Sequence, residues 1–478
     1  MYNPYEKGEY RLSDTNNQKE PKGLSKALKM FYGVGDCGFT LMTNVESYYF
    51  SFFLTNLAQF GLGTVSFITT LASAIDACRS WMYGAVLNSI KPKKWGRYRS
   101  WLILLPWLVP FLFAFQFLKI GDGPLSIAII IFAAVVSHVV WNFPYVANVS
   151  MIAVAGKTPD DRAQLASTRA AWANLSKVIF SYVGPPLAAL FAGIIGEKSQ
   201  YGATAFVLGC VMAVLYFAHF KMFDGYEEVE TASSAVKKDT TKTSGGDLVK
   251  SLLQNPPLMT LMLADLAKWM FNFVCSGVAI YYFTYVAQNE KLLATYILIS
   301  NILCVAGSYL AKNMAKKLST RTTTIFTFFA MAVVLIVGNF TYSNVTLVIV
   351  LMSVAQFGYG IAYACTPALY ADTIIYSEWK TGKNATGWIS GLQNVPLKVG
   401  VMTRGIIISA CLAMAAFDPS IDPAMATEGL KKGICMAFMI IPALALIIAA
   451  VLLLLGFCIT KDKVEQYQAE ISQRAQNG

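Results

Sequence analysis

Apolar residues recur along this chain in runs of about 20 or more, the length a helix needs to cross the hydrocarbon core of a bilayer. The pattern predicts helices over 31–56, 62–90, 100–118, 124–155, 163–195 and 202–222. A second set follows over 258–287, 292–316, 322–342, 345–376, 384–416 and 433–459. Between the sets lies a polar stretch, 223–257, containing YEEVETASSAVKKDTTKTSGGD. Such a segment cannot bury enough apolar surface to fold and reads as a flexible linker. The chain thus divides into a polar N-terminal segment (1–30), an N-terminal half (31–222), the linker, a C-terminal half (258–459) and a tail (460–478). The fold class expected is an all-α membrane protein of twelve transmembrane helices.

Composition agrees: 56% of residues are hydrophobic and only 14% charged. The net charge of +11 points to the membrane rather than to nucleic acid, because the basic residues sit in short loops between apolar runs. Lys91, Lys93, Lys94, Arg97 and Arg99 follow the second segment, and Lys312, Lys316, Lys317 and Arg321 follow the eighth. The alternate loops are neutral or mixed, so both termini are expected in the cytoplasm and the protein in the cell membrane. Residues 1–30 contain no apolar stretch of signal-peptide type. Two histidines and nine cysteines without metal-ligand spacing offer no metal centre. The absence of Walker A, GxSxG and HExxH sequences leaves no motif for an enzyme or an ATP-driven pump.

The second and eighth segments end alike, in SWMYGAVLNSIKPKKWGRYRSW and GSYLAKNMAKKLSTRTTTIF. Each has a small-residue helix end, a basic turn and a new helix. This repeat fits two parallel halves related by an axis along the membrane normal, as in major facilitator transporters, with a central cavity between them.

Ionisable groups inside these runs carry the chemistry. A charge at mid-bilayer costs at least ~2.5–3.5 kcal/mol, so such groups face a bundle interior or a wet path. In the first segment Asp36, Thr40, Thr43 and Ser47 form one helical face, either lining a cavity or bonding between helices. Glu46 lies off that face, as a second acid or in a local pair. Asp76 and Arg79, at i and i+3, either pair structurally or leave Asp76 as a proton or cation acceptor tuned by Arg79 or by a lysine across the bundle. His138, Trp141, Asn142, Tyr145 and Asn148 form a stripe around Pro144, suited to a hydroxylated or aromatic solute or to plain packing. Arg169 and Lys177 have no acid on their own segment and must meet one elsewhere or serve an anion. Asp265 and Lys268 are expected to neutralise each other. Asn394 and Lys398 share a face from which Arg404 is turned away, and Lys398 needs a counter-ion.

YGVGDCGF, AIDACRSWMYGAVLNS, WGRYRSW, NFPY, TPDDRAQLASTR and ALYADTIIYSEWKTGKNATG followed by LKVG resemble the glycoside–pentoside–hexuronide:cation symporter family, which includes the melibiose, glucuronide and sulfoquinovose permeases. The match runs from about 30 to 460 in order and spacing. The resemblance implies a major facilitator fold, a solute bound between the halves, and coupling to Na⁺ or H⁺, with no other cofactor. It also implies that Arg169 and Lys398 match functional cations of the family. Positions matching acids of sodium-coupled members are Thr40, Asp76, Ser80 and Asn142, and only Asp76 is an acid here. A hard cation wants several anionic oxygens, so H⁺ is favoured over Na⁺.

The expected function is therefore import of a sugar-like, anionic solute by H⁺ symport, the protein acting as a monomer with a small-molecule solute and the bilayer as partners. The coupling group is Asp76, with Lys398, Arg169 and Arg79 as electrostatic partners. Solute contacts are assigned to Thr40, Asn44, Trp141, Asn142, Tyr145, Arg169, Asn272 and Asn394. Alternatives are a facilitator or exchanger of an aromatic or steroid-like compound, and a membrane sensor.

Overall fold

The computed structural model describes residues 23–477 except 90–93, 122, 157–158, 228–251, 253–254, 383–388 and 390–391. Most of the expected linker and the start of the eleventh predicted segment fall outside the described residues, as does the side chain of Ser80. The first set of helices is α1 (Lys26–Phe31), α2 (Val34–Phe52), α3 (Leu62–Ser89), α4 (Trp101–Leu104), α5 (Val109–Phe115), α6 (Pro124–Ala155), α7 (Pro159–Ile195) and α8 (Gln200–Met222). The second set is α9 (Pro256–Tyr281), α10 (Lys291–Leu318), α11 (Thr320–Phe340), α12 (Val345–Thr381), α13 (Asn394–Met414), α14 (Glu428–Cys435), α15 (Ile441–Gly456) and α16 (Lys461–Asn477).

Among the described residues, nine helical stretches are long and apolar enough to cross a membrane. The other three predicted segments correspond to α2, α3 and the α4–α5 run, so the order agrees with the hydropathy pattern. The third predicted helix is broken. Pro106 and Pro110 lack the N–H a continuous helix requires, and a 3₁₀ turn at Pro106–Leu108 separates α4 from α5.

Within the first set, α2 packs on α7 and α8, and α3 on α6. Within the second, α9 packs on α13 and α15, while α12 packs on α10 and α11. Glycine permits the tightest of these seams. A Cβ on Gly360 would fall 1.9 Å from the Cys304 carbonyl oxygen, and one on Gly307 2.0 Å from that of Phe357, so α10 and α12 meet backbone to backbone. The two sets touch along three seams, α2–α9, α3–α13 and α7–α10.

A repeat not read from the sequence marks the first seam. α2 ends in a π-helical turn, Phe53–Leu57, and α9 in another, Tyr282–Val286. The residues are FLTNLAQ and YFTYVAQ, and in both the glutamine takes a left-handed conformation (Gln59 φ 54°, Gln288 φ 51°). Here the helix ends meet. Thr55 Oγ1 lies 2.6 Å from the Tyr281 hydroxyl, Asn56 donates to the Tyr285 hydroxyl, and Phe52 packs edge-on against Tyr281. These contacts seal one end of the molecule.

The tail is also more ordered than its polarity suggests. Helix α16 clasps the end of α12: Trp379 stacks on Tyr467 at 4.3 Å, donates from Nε1 to Glu470 (2.6 Å), and accepts at its carbonyl from Arg474 (2.8 Å).

Candidate functional site: a charged cavity between the two helix sets

A cavity of about 510 Å³ lies between the two sets, bounded by α2, α3, α6 and α7 on one side and by α9, α10, α12 and α13 on the other. Ala166 and Ala170 line it and are exposed, so it opens at that end, opposite the Thr55–Tyr281 closure. The polar face of α2 (Asp36, Thr40, Thr43 and Ser47) lines it throughout, because a helix brings i, i+4, i+7 and i+11 to one side. Trp141, Asn142 and Tyr145 from α6, Arg169 from α7 and Asn272 from α9 line it too.

Each acid in the cavity is held by a cation. Asp36 receives a two-pronged bond from Arg169, Nε to Oδ2 at 2.8 Å and a terminal nitrogen to Oδ1 at 2.5 Å. Asn148 adds a third donor at 3.1 Å. Two parallel N–H bonds fix the guanidinium in plane, and the same terminal nitrogen also donates to the Tyr145 hydroxyl at 3.4 Å. Asp76 on α3 pairs with Lys398 on α13, Nζ to Oδ2 at 2.5 Å, while Asn142 and Tyr83 donate to its other oxygen at 3.2 and 3.4 Å. Glu46 takes the His138 Nε2 at 2.8 Å, and the Arg404 guanidinium, from the opposite set, stands 3.8 Å away.

Two of the expected site residues are placed differently. Arg79 neither lines the cavity nor finds a carboxylate among the described residues, while Lys398, Asn142 and Tyr83 engage both oxygens of Asp76. Asn394 is the exposed first residue of α13, one turn short of Lys398, and does not line the cavity. Conversely, Arg404 is not turned away. It lines the cavity with Lys398, its long side chain running over Gly277 of α9. Asp265 and Lys268 pair at 2.5 Å as expected, sealed within the second set and away from the cavity.

One feature escaped sequence reading, a cluster of three side chains. Glu46, His138 and Arg404 come from three helices and form one cluster, which no single segment announces. Lys177 lines the cavity without a counter-ion among the described residues. Asn44, also lining it, keeps a buried amide nitrogen with no acceptor among them.

Two helix sets closing on a central polar cavity define a membrane transporter of the major facilitator type, and the whole-chain comparison agrees. A bacterial homologue of the human lysosomal transporter Spinster, in an inward-facing, unoccupied conformation, superposes with a TM-score of 0.63 at 13% identity, covering 90% of this chain and 96% of that one. The sequence profile of the MFS/sugar transport protein family matches residues 31–461, and the chain belongs to that family. Relatives include the isoprimeverose transporter of Lactiplantibacillus pentosus, 23% identical over 81% of this chain and 80% of its own length. Another is the glucuronide carrier protein homolog of Escherichia coli, 22% identical over 93% and 94%. The resemblance to glycoside–pentoside–hexuronide symporters is thereby upheld: this is a multi-pass membrane transporter of small molecules.

Proposed function

We propose that the protein imports an acidic, sugar-like solute of the uronide class in symport with a proton, working as a monomer with both termini in the cytoplasm. One observation carries the reading of solute charge: Asp36, Glu46 and Asp76 are each matched by a cation, which leaves Lys177 as an unmatched positive charge facing the cavity. An unpaired charge held away from bulk water seeks an anion. Asn44 and Asn272 supply amides for hydroxyls, and Trp141 and Tyr145 supply ring faces for a sugar's C–H surface. An isoprimeverose transporter and a glucuronide carrier homolog among the relatives favour a carbohydrate. Loop charge supports cytoplasmic termini, and on that reading the cavity opens inward.

Proton coupling is favoured over Na⁺ because the acids do not converge: each is engaged by nitrogen donors rather than grouped into an oxygen cage. The principal coupling group is Asp76. Protonating it releases Lys398 of the opposite set and alters the balance between inward- and outward-facing states.

Purified protein in liposomes tests both parts. An acid-outside pH gradient should drive accumulation of methyl β-D-glucuronide in preference to methyl β-D-glucoside, and a protonophore should abolish it. In Lys177→Gln the preference for the glucuronide should fall roughly 10–100-fold, the worth of a charged hydrogen bond. Equal transport of both glycosides by the wild type contradicts the anionic reading. A second reading, facilitated diffusion of an aromatic solute, rests on the wall formed by Trp269, Tyr359 and Tyr363; protonophore-insensitive equilibration identifies it.

A further inference from the structure

The Glu46–His138–Arg404 cluster is not explained by solute binding or by the Asp76–Lys398 pair. Its members are 9%, 6% and 2% exposed, yet all three line the transport cavity. Glu46 (α2) and His138 (α6) belong to one helix set and Arg404 (α13) to the other, so the cluster straddles the surface along which the sets must part. It is also incomplete: His138 Nδ1 and Arg404 Nε are buried without a partner among the described residues. The imidazole lies flat on Trp141, centroids 5.0 Å apart and 9° from parallel, which fixes the edge presented to Glu46.

Other charged and polar groups line the same cavity. From α3 comes Asp76, held by Lys398 of α13. Asn142 on α6 joins the two assemblies, giving one amide nitrogen both to Asp76 Oδ1 (3.2 Å) and to the His138 carbonyl (2.8 Å). From α7 comes Lys177, which has no counter-ion among the described residues, and from α9 the uncharged Trp269, Asn272 and Ser276. The remaining acid of α2, Asp36, lies ten residues from Glu46, ~15 Å along the helix, and belongs to Arg169.

We propose that the Glu46–His138 pair is a second proton-carrying site, whose occupancy sets how firmly Glu46 holds Arg404 across the interface. With the proton present, Glu46 is neutralised inside its own helix set and holds Arg404 weakly, in keeping with the single 3.8 Å contact. With the proton gone, the imidazole is neutral, Glu46 has only Arg404 to balance it, and the two sets are drawn together at this level. The cluster's net charge is a single positive charge with the proton and zero without it. No unmatched carboxylate among the described cavity residues offsets that charge, whereas an anion drawn in by Lys177 does. Anion and proton therefore favour each other's binding, and by linkage the effect is reciprocal. The proton enters from external water when the cavity faces outward and leaves to the cytoplasm once the cavity has reoriented inward, with no bond to carbon made or broken.

This inference rests on the proton-symport reading above, and one experiment separates them. Methyl β-D-glucuronide is added to weakly buffered purified protein, and proton uptake is followed with a pH-indicator dye while binding is followed by thermal shift. Wild-type protein should take up protons on binding, and its glucuronide affinity should fall about tenfold or more as pH rises, a typical coupling. His138→Gln should still bind, but with proton uptake reduced and a flattened pH dependence, whereas Asp76→Asn should retain the His138 share. Binding by the wild type without any proton uptake overturns the symport reading itself. Undiminished proton uptake in His138→Gln overturns only the second site. Should His138→Gln not bind, Glu46→Gln is measured in its place, and loss of binding in both makes the cluster a structural element and removes the proposal.

Discussion

Lys398 on α13 reaches across the interface to Asp76 on α3, ammonium to carboxylate at 2.5 Å, and so ties the two helix sets together beside the cavity. Breaking one half of a buried ion pair strands the other charge, at a cost of about 3–5 kcal/mol, whereas removing both is often tolerated. Both groups keep some exposure to the cavity, which places this pair at the lower end of that range. Asp76→Asn should sharply reduce uphill accumulation in liposomes while leaving solute exchange. Lys398→Gln should lower thermal stability more than the double substitution Asp76→Asn/Lys398→Gln. Full concentrative uptake by Asp76→Asn would remove Asp76 from the coupling mechanism.

Hydropathy made the helix order legible because a bilayer demands long apolar runs, and α6, α11 and α15 meet that demand plainly. The polar face of α2 was legible for a similar reason, since helical periodicity alone brings Asp36, Thr40, Thr43 and Ser47 to one side. Partnerships were legible only in part. Asp76 was expected beside Arg79 or a lysine across the bundle, with Lys398 among its named partners, and of these it is Lys398, 322 residues away, that holds the acid. Arg169, expected to meet an acid on another helix or to serve the solute, is occupied by Asp36 rather than by Asp76. Periodicity says which side a residue faces on its own helix but nothing about which helix lies opposite. The π-helical ends of α2 and α9 were hidden for another reason: FLTNLAQ and YFTYVAQ look like unremarkable apolar helix ends, and the turn they make depends on backbone geometry.

The closure at those ends predicts a gating phenotype. Thr55 and Tyr281 share one hydroxyl–hydroxyl bond of 2.6 Å across the interface. Tyr281→Phe deletes it at little cost in volume, removing about 0.5–1.5 kcal/mol from the sealed state, or roughly 2–12-fold in its population ratio. A cysteine placed at Ser47, inside the cavity, should then react correspondingly faster with an impermeant maleimide added outside cells. The background for this measurement replaces the exposed Cys78 and Cys458 with serine. An unchanged labelling rate would mean the phenyl packing, not the hydroxyl, keeps that end shut.

Asp265 and Lys268 make the opposite case, a pair built for stability. They are 3% and 2% exposed, 2.5 Å apart, and further bonded by Tyr370 (3.3 Å) and Thr366 (3.1 Å). Asp265→Asn leaves a buried ammonium unmatched and should lower the melting temperature sharply. Asp265→Leu/Lys268→Met should recover most of that loss, as replaced buried pairs commonly do, and should transport. Loss of coupling in a stable, well-folded double variant would instead assign this pair a role in transport.

The α3–α13 seam beside the Asp76–Lys398 bridge depends on one glycine. A Cβ on Gly405 would stand 1.9 Å from Thr69 Oγ1 and 2.8 Å from its Cβ. Rotating the threonine hydroxyl leaves the second of these clashes in place, so Gly405→Ala must push the helices apart. Overpacking of this kind costs about 1–3 kcal/mol, and it falls on the conformation in which α3 and α13 are close. Gly405→Ala should therefore slow transport and lower thermal stability, and adding Thr69→Gly should restore both by removing the opposing Cβ. Failure of the second substitution to rescue the first would show that Gly405 is needed for its backbone freedom rather than for the close approach of the two helices.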